Sequence, residues 1–168
     1  MLRSIVIDET DFDVAVVYEA LRRQHGAAAG AIVTFVGLVR ERNDVTGDDS
    51  TVSTLTLEHY PGMTERSIER ILDEVEIRWP ILETRVIHRV GSMAPEEQIV
   101  LVAVASAHRE AAFAAAEFVM DYLKTDAVFW KKERTAAGQH WVQSTATDQT
   151  RAQRWRDQDA ESSQPSQQ

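Results

Sequence analysis

Two stretches of this chain, Ala31–Val39 and Ile99–Ala105, are apolar almost without interruption and are bounded by polar residues. Both have the length of a buried strand, and both fall far short of the roughly 20 residues that a membrane span needs. They read as interior strands, Gly30–Val39 and Gln98–Ala105, around which the other elements must pack.

The other segments carry weaker periodicity. Arg3–Asp8 alternates as a short strand. A helix capped by Thr10 or Asp11 is expected to run to about Gln24, with Val14, Val17 and Leu21 on its apolar face. Glu41–Ser50 is polar and acidic and reads as a mobile loop. Val52–Tyr60 alternates as a half-buried strand, with Val52 in phase with Thr54 and Thr56. After Pro61-Gly62, Thr64 is expected to cap a helix reaching about Trp79, which Pro80 stops. Glu83–Val90 and Gln98–Ala105 flank a turn-rich link, and a third helix spans about Ala107–Lys124. Ala127–Arg134 and His140–Ser144 close a hairpin across Ala136-Ala137-Gly138.

The resulting order, β-α-β-β-α-β-β-α-β-β, predicts a single α+β domain. It has a mixed or antiparallel sheet, with about three helices on one side. The domain is assigned to residues 1–147. Residues 148–168 form a tail that begins helically around Trp155 and ends in ESSQPSQQ, a composition that cannot pack.

A net charge of −9 argues against general nucleic-acid binding, which relies on a basic surface to neutralise phosphate. It leaves room for a small anion in a local basic pocket. Cysteine is absent, which excludes disulfides, thiolate metal sites and a cysteine nucleophile or persulfide carrier. If the chain handles sulfur, the sulfur must arrive on a partner. No metal-ligand spacing, Gly-rich phosphate loop or HExxH motif occurs, so no metal and no cofactor is expected. The N-terminus, MLRSIVIDET, lacks a signal-peptide pattern, and a soluble cytoplasmic protein is expected.

Of 18 Lys and Arg residues only three are lysine, and Lys124, Lys131 and Lys132 fall in one short stretch. Arginine cannot replace lysine where chemistry needs a titratable amine. Aromatics surround the three (Tyr122, Phe129, Trp130), and Trp130 beside Lys131 could desolvate the amine. The bland alternatives are chance, and a strand in which Trp130 alone enters the core. His108-Arg109 opens the third helix, where free N–H groups favour an anion. A solvated first turn is the plainer reading. His108 and Lys124 stand at opposite ends of that helix, about 24 Å apart at 1.5 Å per residue. They serve different sites, or a second copy supplies one end. The small residues Ala111–Ala116 could admit that second copy or pack on the helix's own sheet.

With these residues in place, the chain resembles the large, catalytic subunit family of molybdopterin synthase. The resemblance rests on TFVGLVR (34–40), LTLEHYPGMTE (55–65), RWP (78–80), VIHRVG (86–91), SAHREAAFAAAEFVMDYLKT (106–125) and FWKKE (129–133). It implies an enzyme that moves sulfur onto cyclic pyranopterin monophosphate, building the dithiolene of molybdopterin. The sulfur comes from the C-terminal Gly-Gly thiocarboxylate of a small ubiquitin-like partner. It further implies a central dimer of the large subunit with one small subunit at each end, a heterotetramer. By motif, Lys124 and Lys131 are the catalytic amines, and Arg40, His108 and Arg109 hold substrate. Phe35, Leu38, Val39, Met120, Lys132 and Glu133 complete the substrate-binding set. The chain departs from the family pattern at Leu38, where relatives often carry Lys, and at Gln143–Thr147, where no basic residue follows Trp141-Val142. The rival readings are a Lys-dependent Schiff-base lyase and a non-catalytic dimeric pterin- or phosphate-binding module.

Overall fold

β6 (Gln98–Ser106) is apolar along its length because both of its faces are covered. Val100, Val102 and Val104 point into the main core, and Leu101, Ala103 and Ala105 point into a second cluster with Val17 and Leu21. A strand buried on both sides needs a packing layer on each, since half-covered apolar surface would remain in water. The computed structural model describes residues 1–41, 52–135, 138–142 and 146–162.

β6 is an inner strand of a four-stranded sheet ordered β1-β4-β6-β2, formed with β1 (Leu2–Asp8), β4 (Ile81–Arg89) and β2 (Ala31–Leu38). β1 runs parallel to β4, while β4 and β2 are antiparallel to β6. α2 (Met63–Arg78) and α3 (Arg109–Thr125) cover the main-core face. α1 (Val14–His25) covers the other. The expected placement of all helices on one side is therefore corrected, and the two-faced burial of β6 is the reason.

A second sheet, ordered β5-β3-β7-β8, is antiparallel throughout. It comprises β5 (Gly91–Met93), β3 (Val52–His59), β7 (Phe129–Thr135) and β8 (Gly138–Val142). β5 lies within the stretch expected as a plain turn. The chain passes from the first sheet to the second at Gly91, whose φ of 80° suits glycine. α4 (Ala146–Ser162) completes the fold and buries Trp155 in the main core. Residues 42–50 of the polar loop, Ala136-Ala137, residues 143–145 and the last six of the tail lie outside the described residues.

Local chemistry shifts several boundaries. Asp13, rather than Thr10 or Asp11, caps α1: its carboxylate accepts the N–H groups of Ala15 and Val16 at 2.8 and 3.2 Å. α2 starts from Gly62, whose N–H donates to the Glu65 carboxylate at 2.5 Å. Thr64 lies buried inside the first turn and donates to the Val128 carbonyl at 2.8 Å, tying α2 to the approach to β7. In β3 a register shift between Val52 and Thr54 brings Val52 into the interior with Leu55 and Leu57. This is opposite to the expected phase, because a bulge inverts the alternation on one side of it.

Candidate functional site

The second sheet joins the first where β2 ends and β6 begins. Val39, Leu55, Leu57 and Met93 form a small core there, with Ile99 packed against it. The Val39 N–H donates to the Glu97 carbonyl and its carbonyl accepts from the Glu96 N–H, both at 2.9 Å. Arg89 secures the same corner from a buried position, donating to the carbonyls of Glu9 and Gln98 and to the Glu97 carboxylate. The Ala94 N–H, and then Arg89, hold the Glu97 carboxyl below its usual range. This corner carries Arg40, exposed at the end of β2, and the exposed Leu38 beside it.

β7 presents its lysines to opposite sides. Lys131 and Glu133 pair in register with Leu57 and Leu55, so they share the face of the small core around Val39. Lys131 Nζ lies 2.9 Å from Glu133 Oε1, and that carboxylate is buried. Lys132 lies on the outer face, with Nζ 5.2 Å above the Trp141 ring. Trp130 shares that outer face and is 51% exposed, so it neither desolvates Lys131 nor fills the core. Its ring meets Tyr60 edge-on at 5.5 Å, beside a cavity of about 260 Å³ lined by Glu58, His59, Tyr60, Val128 and Trp130. Phe129, on the inner face, stacks on buried His88 at 3.8 Å and anchors the start of β7 two residues before Lys131. Burial of His88 pushes its imidazole down to about 4.

Lys124 occupies the last turn of α3, a favourable place for a cation at a helix C-terminus. Its Nζ is 3.5 Å from the Asp148 carboxylate of α4. Met120, a turn earlier, is partly buried against the main core, and Phe35 of β2 is 40% exposed on the sheet face that α3 covers. Each candidate amine thus has a carboxylate neighbour, one within β7 and one from α4. Asp148 escaped the sequence reading, although Ala152 and Trp155, spaced i, i+3, marked an α4 face that would have to pack.

His108 and Arg109 sit elsewhere. His108 is the N-cap of α3 with extended backbone, its ring makes no capping hydrogen bond, and both residues are exposed. The Gly30 N–H donates to the Ser106 carbonyl at 3.0 Å, and a Cβ on Gly30 would lie 2.2 Å from the Ala107 carbonyl oxygen. That close approach fixes the start of β2 beside His108. The β2–β6 ladder then runs from Ala31 opposite Ser106 to Leu38 opposite Gln98, about 24 Å at 3.4 Å per residue. Arg40 and His108 are therefore at opposite ends of the first sheet, as Lys124 and His108 are at opposite ends of α3. One copy of the chain gathers Arg40, Lys124 and Lys131 toward one end and leaves His108 and Arg109 at the other. The buried alanines of α3, Ala111, Ala112, Ala115 and Ala116, pack on the helix's own core and not on a second copy, while Phe113 is 63% exposed. Among the described residues no group of three or more His, Asp or Glu is placed to hold a metal ion.

The comparisons agree with one another. A catalytic subunit of molybdopterin synthase from Vibrio cholerae is 55% identical over 151 residues, covering 90% of this chain and 97% of the relative. The Escherichia coli catalytic subunit is 48% identical at the same coverage. A molybdopterin biosynthesis MoaE protein from Burkholderia ambifaria superposes with a TM-score of 0.76 at 45% identity, covering 92% of this chain and 98% of that one. The family model described as MoaE protein matches residues 7–126. On that match and those identities, the chain belongs to the MoaE protein family.

Proposed function

We propose that this chain is the catalytic subunit of a molybdopterin synthase, a sulfurtransferase-type enzyme of molybdenum cofactor biosynthesis. The observation that carries the reading is near-full-length identity of about half to relatives named as that subunit. The relatives' name, a catalytic subunit, also supports a further subunit as partner, which the family resemblance makes a small one. In this reading, as the family resemblance implies, the partner is ubiquitin-like and delivers sulfur as a C-terminal thiocarboxylate, which agrees with a chain that has no cysteine to carry sulfur itself. The acceptor is cyclic pyranopterin monophosphate, and the work is done in the cytoplasm. Among the described residues no helix is long and apolar enough to cross a membrane.

Lys124 and Lys131 are the catalytic amines, able to give and take protons during sulfur transfer where arginine could not. Arg40 binds substrate from the same end, with Phe35, Leu38, Val39, Met120 and Glu133 around it; Lys132, which the family motif adds to this set, faces the other side of the sheet and contributes least. Val39 contributes by holding the backbone at that corner, since its side chain is buried. His108 and Arg109 bind the phosphate and oxygens of substrate held by a second copy, which resolves their separation from the lysines. Two large and two small subunits then make a heterotetramer with two shared sites. Residues 1–147 form the catalytic domain and 148–168 its C-terminal extension; α4 (Ala146–Ser162) runs across that boundary and packs Trp155 into the domain's core.

The deciding experiment mixes the chain with a thiocarboxylated small subunit and the pyranopterin precursor and looks for the dithiolene product. Absence of product, together with borohydride trapping of the chain by precursor alone, would favour a Schiff-base lyase.

A further inference from the structure

α4 is docked on α3 by contacts that fix its position closely. The Trp155 indole N–H donates to the Asp121 carboxylate at 2.9 Å, and both side chains are buried. Arg154 bridges Asp121 at 3.4 Å and Glu117 at 3.0 Å, and Arg156 reaches Asp126 at 3.2 Å. Trp79, Phe118 and Trp155 meet edge-on with ring centroids 5.4–5.7 Å apart. A buried carboxylate must be partnered, so Asp121 and Trp155 hold each other in one arrangement. α4 follows shortly after Val142, which pairs with Lys131.

One consequence is the placement of Asp148. It lies in the first turn of the anchored helix, is itself mostly covered, and has an oxygen 3.5 Å from Lys124 Nζ. Lys124 is 48% exposed on a flexible four-carbon stem and would otherwise sample many rotamers. An ion pair half in solvent adds little to stability, so it does not explain the anchoring of α4. It does orient an amine.

We propose that Asp148 is a positioning residue that holds the Lys124 amine for the reaction, with the Trp155–Asp121 contact as its mount. This rests on the reading of Lys124 as a catalytic amine. Asp148 is set by α4 as Glu133 is set by β7, so each of the two amines is aimed by a carboxylate from a fixed element.

The test compares Asp148→Asn, Asp148→Glu and Lys124→Ala, each assembled with the thiocarboxylated small subunit, and follows turnover, KM for the precursor and thermal melting. Asp148→Asn should lower kcat by about tenfold to a hundredfold with KM and melting temperature little changed, as expected for a misplaced group. Asp148→Glu should recover most of the loss. Because the chain has only three lysines, acylation with a trace anhydride followed by peptide mass analysis reads each amine separately. Labelling of Lys124 should change severalfold in Asp148→Asn while Lys132 stays constant. If Lys124→Ala is inactive but Asp148→Asn keeps wild-type kcat, the inference is wrong and the reading of Lys124 stands. If Asp148→Asn loses melting temperature and activity together and Asp148→Glu restores neither, the role is structural and the inference is likewise wrong. An active Lys124→Ala overturns both.

Discussion

Lys131 and Glu133 stand two residues apart on the same face of β7, with Nζ 2.9 Å from a carboxylate that is almost fully buried. The strand geometry puts the amine at the rim of the small core around Val39 and its charge partner beneath the surface. Such an amine is oriented without being fully desolvated.

Lys131→Ala and Lys124→Ala are expected to lose activity by on the order of 100-fold or more, the usual weight of a proton-transfer group, while the fold survives. Lys→Arg at either position should fail nearly as badly, because guanidinium keeps the charge and gives up the titratable amine. Steady-state turnover with the thiocarboxylated partner measures this. Near-normal rates in both Arg variants would reduce the lysines to electrostatic anchors.

Lys132→Ala should be much milder than Lys131→Ala. Its ammonium lies over Trp141 on the outer face of the sheet, away from Glu133 and Val39. The same turnover assay decides, with melting curves to show that both variants remain folded. Equal losses would mean that the outer face takes part in the chemistry.

A shared site predicts complementation. Mixed dimers of His108→Ala with Lys124→Ala contain one site in which both residues are intact, so subunit exchange should restore part of the activity. Verified heterodimers that stay inactive, alongside wild-type chains that survive the same exchange, would exclude a site built from both copies.

His88 predicts a pH dependence of stability. Its ring is buried on Phe129, one nitrogen contacts the Arg89 carbonyl at 2.9 Å, and burial lowers its pKa from 6.5 to about 4. The unfolded chain therefore binds the extra proton between those values. The contribution is fully present above about pH 6.5 and is lost as pH falls toward 4, up to about 3 kcal/mol. Urea unfolding at pH 7 and pH 4.5 should show a smaller difference for His88→Phe than for the unaltered chain. Identical differences would assign the acid sensitivity to other groups.

Much of the fold could be read along the chain because local patterns report burial directly. The uninterrupted apolar run of β6 announced a strand covered on both faces, the i, i+3 spacing of Val14 and Val17 announced α1, and Pro80 closed α2. The confinement of lysine to one stretch and the order of motifs from Thr34 to Glu133 pointed to the family. Periodicity names a face to be buried but not the element that covers it, so the sequence does not say that α1 covers the face of the first sheet opposite α2 and α3. Register is a long-range property, and the bulge that turns Val52 inward arises from pairing with Thr135 and Arg134 far along the chain. The same limit hid Asp148, which meets Lys124 in a fold where Trp155 of the same helix also meets Asp121 across two packed helices. The sequence by itself determined that every lysine falls in one short stretch and that His108 and Lys124 are held apart by a helix. Tertiary structure decided which carboxylate meets which amine, because such contacts depend on packing between segments whose separation in sequence carries no signal.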